Sequence, residues 1–286
     1  MDIQWFPGHM TKAIRQMEED VKLVDLIIEV IDARIPVSSR NPELDKIGKN
    51  KARVIIMNKF DLADEAVSRQ WAKYFEEQGA GCVLMDSRNK KGISEVKKVI
   101  ATSCAAKKAR DAARGIKNRP VRAMVAGIPN CGKSTFINTY AGRSAAKTGD
   151  KPGVTKGKQW IRLGSDLELL DTPGILWPKF EDKEVGAHLA MIGSVNSDIL
   201  DMGEVAYEII EFLKKEYPGR VSERYGVDET HDSAGLLEEI AIAKGWIRKG
   251  AEADIGKCSQ MIAGDFKSGR LGRISLDRPE QYRGEK

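Results

Sequence analysis

Val121-Arg122-Ala123-Met124-Val125-Ala126-Gly127-Ile128-Pro129-Asn130-Cys131-Gly132-Lys133-Ser134-Thr135-Phe136-Ile137-Asn138 opens as an apolar run of the kind found in strands buried on both faces and closes as a helical pattern. Between the two stands a complete G-x-x-x-x-G-K-S, from Gly127 to Ser134. Glycines let the backbone curl so that successive N–H groups converge on an anion, and the following helix turns the positive end of its dipole to the same place. The chemistry expected here is phosphate binding. Asn130, Cys131, Gly132 and Thr135 line the loop, Lys133 neutralises developing charge on the β- and γ-phosphates, and the Ser134 hydroxyl is a ligand for Mg²⁺.

Upstream, Asn58-Lys59-Phe60-Asp61 closes the apolar run Val54 to Met57, and open parallel sheets bind ligands at the carboxyl ends of their strands. The Asp61 carboxylate offers only acceptors, which match the N1–H and 2-amino donors of guanine and not the N1 acceptor of adenine. Asn58 suits the N7/O6 edge and a brace to the phosphate loop, and the Lys59 stem suits the face of the base. Alone, this tetrapeptide reads as a polar turn after a strand; beside a phosphate loop it selects GTP over ATP. Met85-Asp86-Ser87-Arg88, at the end of the next apolar run, reads either as a plain turn or as the loop whose N–H groups meet the guanine O6.

Downstream, Asp171-Thr172-Pro173-Gly174 follows the apolar run Leu167 to Leu170. Asp171 is expected to hold Mg²⁺ through water, and the Gly174 N–H to approach the γ-phosphate. Within Lys151-Pro152-Gly153-Val154-Thr155, Thr155 is the hydroxyl expected to close on Mg²⁺ when the γ-phosphate is present. Ile175 stands where many GTPases carry a glutamine that orients water, so hydrolysis needs another polar group. His9, in Phe6-Pro7-Gly8-His9, sits in a stretch that reads as an irregular loop; a lone histidine there is ordinarily structural, and the apolar Ile175 makes it a candidate for catalysis. His188 and His231 have no motif around them. The base motif precedes the phosphate loop, the reverse of the usual order.

Around these motifs, strands are expected at Leu26 to Ile31, Val54 to Met57, Cys82 to Met85, Val121 to Ala126, Lys158 to Leu163 and Leu167 to Leu170, the last two turning at Gly164-Ser165. Helices are expected at Thr11 to Lys22, Ala66 to Glu77, Ile93 to Ala106, Val205 to Lys215, Leu236 to Lys244 and Ile255 to Phe266. Strand and helix alternate up to about Gly174, as in a doubly wound sheet, and only helices follow. The expected division is 1–178 for an α/β nucleotide-binding domain and 179–286 for a smaller all-helical one, with the boundary near 177–182.

The 286 residues are 41% hydrophobic and 31% charged, which suits a packed globular protein. No run approaches the roughly 20 apolar residues of a membrane span, so a cytoplasmic protein is expected. Four cysteines and three histidines form no metal-ligand spacing. The net charge of +5 suits an acidic partner without requiring one. The cations of the Lys107 to Arg122 segment read equally as a solvated linker or an RNA face, as does the mild excess of the tail, which includes Lys257, Arg270 and Arg273. Trp160, Trp177 and Trp246 read as core or domain-contact residues rather than base-stacking ones.

With N-K-F-D, S-R, G-I-P-N-C-G-K-S, P-G-V-T and D-T-P-G in that order, together with Trp5-Phe6-Pro7-Gly8-His9-Met10 and Asp32-Ala33-Arg34-Ile35-Pro36, the chain resembles the circularly permuted bacterial ribosome-assembly GTPases of the YlqF/RbgA family. The motifs span Trp5 to about Trp177. The resemblance implies a Ras-like P-loop GTPase core, an apolar residue after D-T-P-G, and a carboxyl-terminal helical domain that contacts 23S-type rRNA. It also implies Asn130 as a K⁺ ligand and the loop histidine, His9, as the group that orients water. The implied function is GTP hydrolysis in late maturation of the large (50S) ribosomal subunit, with docking on the pre-ribosomal particle in the GTP state and departure after hydrolysis, by a protein that is monomeric in solution and touches no membrane. A GTP-gated RNA-binding module that does not depend on hydrolysis is the rival of another class. A GTPase of tRNA modification or membrane trafficking finds no modification domain or lipid-anchor signal to support it.

Overall fold

The computed structural model describes residues 7–116, 119–146, 159–172, 176 and 183–282, and within these all side chains except those of residues 7–13, 159 and 281. The described residues of 4–180 and 275–286 form one compact unit, and those of 181–274 another.

The first unit runs α1 (Pro7–Lys22), β1 (Leu26–Asp32), α2 (Pro42–Ile47), β2 (Ala52–Asn58), α3 (Glu65–Glu77), β3 (Gly81–Leu84), α4 (Ile93–Ser103), α5 (Ala105–Ala113), β4 (Val121–Ala126), α6 (Lys133–Ala141), β5 (Gln159–Leu163) and β6 (Leu167–Asp171). The six strands form one sheet in the order β3-β2-β1-β4-β6-β5. All neighbours are parallel except β5 and β6, which form a hairpin. Counted from the strand before the phosphate loop, the order becomes 2-3-1-4-5-6, that of a Ras-like GTPase sheet with its chain start moved. Leu26 to Asp32 are buried throughout, because a central parallel strand is covered on both faces. On one face Val67, Trp71 and Phe75, one helical turn apart in α3, bury against Ile31, Ile55 and Met57. On the other, Met17 and Val21 of α1 meet Ile27 and Met124.

Several local expectations change. The first helix starts at Pro7 rather than Thr11, so the backbone of His9 is helical and not an irregular loop; proline suits the first turn, where its missing N–H has no intrahelical acceptor to satisfy. The helix expected to run to Ala106 stops at Ser103 and restarts as α5 beyond Cys104. α2 went unread at only six residues, yet Asn41 caps it with a bond from the Glu43 N–H and Pro42 begins it. Trp160 is 41% exposed, with the Arg122 guanidinium 5.3 Å from its ring centroid, so it is not a core residue. Trp177 lies outside the described residues.

The second unit contains α7 (Lys183–Met191), α8 (Met202–Glu216), α9 (Arg220–Tyr225), α10 (Ser233–Ala243) and α11 (Ile255–Ser268). α8 packs against the other four, burying Val205, Ile209, Ile210 and Leu213. Aspartates cap three of the helices, Asp201 for α8, Asp232 for α10 and Asp254 for α11. The chain does not end there. Residues 275–282, with α12 (Pro279–Tyr282), belong to the first unit, a return that reading 179–286 as one helical domain does not anticipate. The Asp277 carboxylate accepts from the N–H groups of Val37 and Ser38 and from the Ser38 hydroxyl, each at 2.7 Å. Its carbonyl accepts from Trp71 Nε1 at 3.1 Å, and the Tyr282 ring lies 5.5 Å from the indole.

Candidate nucleotide site

The phosphate loop leaves β4 between β1 and β6, at the carboxyl edge of the sheet. Gly127 has φ +154°, and a Cβ there would stand 2.2 Å from the Val30 carbonyl oxygen; Gly132, with φ +97°, would put one 2.2 Å from Asn58 Nδ2. Only glycine fits at either place. Asn130 holds a left-handed backbone, φ +59°, and α6 begins at Lys133 with Ser134 half-buried in its first turn. The Lys133 ammonium donates to the Ile128 and Gly127 carbonyls at 2.7 and 3.1 Å. Lysine, loop and helix start are thus packed as one unit, with backbone N–H groups and the helix dipole gathered where a phosphate would sit.

Asn58 joins this loop to the base-recognition end. Its Nδ2 donates to the Cys131 carbonyl at 2.8 Å, and its Oδ1 accepts from the Ser87 N–H at 3.2 Å. Thr139, from α6, closes the ring with a bond from its hydroxyl to the Ser87 carbonyl at 2.7 Å. Asp61 sits exposed in the short turn Phe60–Leu62. Burial of part of its surroundings and the neighbouring Asp86 charge both raise its pKa. Phe60 packs against the Trp71 cluster and anchors the turn through its N–H to the Met85 carbonyl. Asp86 is buried, and its carboxylate accepts from the N–H groups of Arg88 and Asn89 and from Asn89 Nδ2. Its work is therefore to shape the Ser87 loop, while Arg88 is exposed.

Asp32-Ala33-Arg34 stands in the sequence only as a motif of the family resemblance, with no role read for Asp32. Asp32 is fully buried at the end of β1, in register with Asn58. Its carboxylate takes Arg34 Nε and Nη2 at 2.9 and 2.8 Å, the Arg34 N–H at 3.1 Å and Lys59 Nζ at 2.9 Å. Burial alone would raise its pKa, but the charges and hydrogen bonds of Arg34 and Lys59 hold it well below the ordinary carboxylate range. Lys59 has φ 58°, a left-handed conformation that costs a non-glycine residue on the order of 1 kcal/mol. Arg34 itself is 1% exposed and forked onto Asp32. The signal available in the sequence was a buried-strand aspartate two residues before an arginine.

At the other side of β4, Asp171 ends β6 opposite Val125. It is 3% exposed, its Oδ1 has no hydrogen-bond partner among the described residues, and burial raises its pKa to about 6 against a lowering by Lys133. Next to it the Thr172 hydroxyl donates to the Val125 carbonyl at 2.8 Å. A buried carboxylate oxygen without a donor, near the phosphate-loop lysine and a serine at the start of α6, fits a hard divalent cation such as Mg²⁺, which takes few protein ligands and completes its shell with water and phosphate oxygens. Among the described residues no group of three His, Cys, Asp or Glu side chains forms a metal site of its own, and the four cysteines are free and buried. Thr155, Gly174 and Ile175 lie outside the described residues, as does the side chain of His9. His188 is buried in α7 and His231 is exposed beside Glu239, both in the helical unit.

A family model described as 50S ribosome-binding GTPase matches residues 122–217. It starts at the phosphate-loop strand and omits the base motif, as the moved chain start requires. Ribosome biogenesis GTPase A of Bacillus cereus is 43% identical over 283 residues, 99% of this chain and 96% of that protein. The Thermotoga maritima protein of the same name is 30% identical over 278 residues, 97% and 95% of the two chains. The GNP-bound crystal structure of YlqF from T. maritima has a TM-score of 0.66 at 28% identity and covers 94% of this chain and 99% of that one. The GDP-bound structure of TM YlqF has a TM-score of 0.67 at 26% identity, over 93% and 100%. With the permuted sheet and the motifs along one edge, these relatives establish that the chain belongs to the ribosome biogenesis GTPase A family and hydrolyses GTP as a ribosome assembly factor.

Proposed function

We propose that this GTPase acts in late maturation of the large (50S) ribosomal subunit, docking on the precursor in its GTP state against 23S-type rRNA and leaving after hydrolysis. The observation that carries the reading is connectivity. β6, which ends in Asp171, is the last strand of the core, and the segment after it leads into the helical unit rather than into further strands. A shift of Gly174 with the γ-phosphate is then passed along the backbone to the output arm. Exposed cations support an RNA partner: Lys108 and Arg110 on α5 and Arg114 at its C-cap, and Lys244, Lys249 and Lys257 around the turn between α10 and α11. Arg270, by contrast, is engaged by Asp265. No described helix is long and apolar enough to cross a membrane, and we assign the protein to the cytoplasm as a monomer.

In this reading Asp61 accepts from the guanine N1–H and 2-amino group, and the Ser87 N–H side of its loop meets O6. Lys133 steadies the β- and γ-phosphates, and Ser134, Thr155 and Asp171 would hold Mg²⁺, which would supply neutralisation of phosphate charge. Asn130 ligates K⁺, and His9 orients the attacking water without carrying charge. The test is sedimentation with large subunits in GTP, GDP or a non-hydrolysable analogue, paired with single-turnover hydrolysis in potassium and sodium salts. Binding is expected with GTP and the analogue, weakening steeply with salt. Hydrolysis is expected to be stimulated by subunits and faster in potassium, and His9→Ala to lose ~10²-fold of the stimulated rate with GTP affinity intact. Binding indifferent to the nucleotide overturns the reading, and equal rates in the two salts remove the K⁺ assignment. An unchanged stimulated rate removes His9.

A further inference from the structure

We infer that Asp32 is a positioning residue for the guanine base: forked by Arg34, its carboxylate anchors the Lys59 ammonium and so fixes the Lys59 stem as a ledge against which the base packs. The inference rests on the reading of Asn58 to Asp61 as the guanine site and adds a residue to it.

Asp32 and Asn58 are paired in register at the ends of β1 and β2, so the carboxylate stands beside the strand from which the base loop departs. Lys59 follows Asn58 in a left-handed conformation, φ 58° and ψ 32°, and its Nζ is 2.9 Å from Asp32 Oδ2. The side chain is therefore tied at both ends, at Cα by the turn and at Nζ by the ion pair. A free lysine stem samples many rotamers and loses them when it covers a ligand; this one has lost them before the ligand arrives. Arg34 supplies the geometric half of the device. Its two parallel bonds to Oδ1 and Oδ2 and its own N–H on Oδ1 set the carboxylate plane, as a planar guanidinium does and an ammonium does not. Arg34 is held in turn, since its carbonyl accepts from the Leu276 N–H at 2.7 Å. The chain from residue 276 through Arg34 and Asp32 to Lys59 is continuous and buried up to the lysine.

A double-mutant cycle in the full-length protein tests this, with GDP and IDP affinities measured by fluorescent-nucleotide displacement for wild type, Asp32→Asn, Lys59→Ala and the double variant. Asp32→Asn is expected to weaken GDP and IDP alike by about tenfold, the worth of one charged hydrogen bond. The two nucleotides fall together because the ledge meets the ring face and not the 2-amino group. In the Lys59→Ala background Asp32→Asn should add nothing to the loss. Additive losses overturn the inference, because a purely structural Asp32 would act with or without the lysine. Should Asp32→Asn fail to fold, Lys59→Met probes the same tie from the other side: the stem stays, the anchor goes, and a loss comparable to that of Lys59→Ala is expected, whereas full affinity overturns the inference. If Lys59→Ala itself leaves affinity unchanged, the guanine-site reading fails and Asp32 falls with it; a loss in Lys59→Ala with none in Asp32→Asn sinks Asp32 alone.

Discussion

Asp32 and Asp171 each end a buried parallel strand, β1 and β6, on the two sides of the phosphate-loop strand β4. Both are almost inaccessible. Asp32 meets a guanidinium fork, a backbone N–H and an ammonium, and its pKa is driven down. Among the described residues Asp171 keeps one oxygen without a donor, and burial drives its pKa up to about 6. The Asp32 corner of the base end is thus electrostatically complete within the protein, while the described neighbours of Asp171 leave its charge under-compensated. Recognition of a base demands fixed donors and acceptors before the ligand arrives. Holding a cation demands a carboxylate that is not already neutralised.

The strongest way to break the first half of this comparison is Asp61→Asn, which turns one acceptor oxygen into a donor facing the donors of guanine. GTP affinity should fall by about 10³-fold while xanthosine nucleotides gain, because a mismatched polar pair in a built site is penalised far more than a missing contact. Competition binding with GTP, XTP and ATP reads the outcome, and equal GTP and ATP affinities in the unaltered protein would discard the base-recognition assignment.

The completeness of the base end also depends on the returning segment. Asp277 is fully buried and receives three bonds at 2.7 Å from Val37 and Ser38, so Asp277→Ala should destabilise the protein by about 3 kcal/mol in denaturant unfolding. It follows that cutting the chain after Phe180 is a poor test of the helical unit, since the cut removes residues 275–282 as well; a deletion that keeps them should bind nucleotide better than the simple truncation. No change in stability on Asp277→Ala would show the segment to be a passive tail.

The smallest effect sharpens the second half. Asp171 has a folded pKa of about 6 against an ordinary 3.8, so the folded protein binds the extra proton between those values. Without metal and nucleotide, the cost of its charge is absent below pH ~4 and complete above pH ~6. Asp171→Asn should therefore stabilise the free protein by about 2 kcal/mol at pH 7, less than the full shift implies because solvent relaxes around the charge, and by nothing at pH 4. Mg²⁺ affinity of the unaltered protein should rise with pH through 6 and then level off. Thermal unfolding of both proteins across pH 4 to 8 gives the stability, and calorimetric titration gives the metal; a pH-independent stability difference would count against the buried charge.

Much of this molecule is legible in the sequence. The G-x-x-x-x-G-K-S between a strand and a helix, N-K-x-D at a strand end, D-T-P-G after another and their inverted order define the permuted core, because phosphate and guanine recognition impose residue types at fixed local spacings. β1 to β4 and β6 are readable because parallel strands covered on both faces must be largely apolar runs, and β5, an antiparallel edge strand, is readable from its alternation and the Gly164-Ser165 turn. α2 and the break at Cys104 are less so, since a six-residue helix or a one-residue interruption barely changes an apolar period. His9 reads as loop in the sequence because Pro7 and Gly8 look like breakers, although proline is compatible with a first helical turn.

Contiguous motifs and the succession of strands that carries them along the chain are thus readable without coordinates, because each is a local pattern of residue types. Where a charge without a contiguous partner goes is settled only by the folded chain. Asp32 meets Lys59 across two strands, Asp86 turns inward to shape its own loop, Arg34 is withdrawn from any role at the phosphates, and Asp277 crosses some 240 residues to close on Ser38. Each of these is set by burial and by the identity of the neighbour, and a neighbour distant in sequence leaves no local spacing to read.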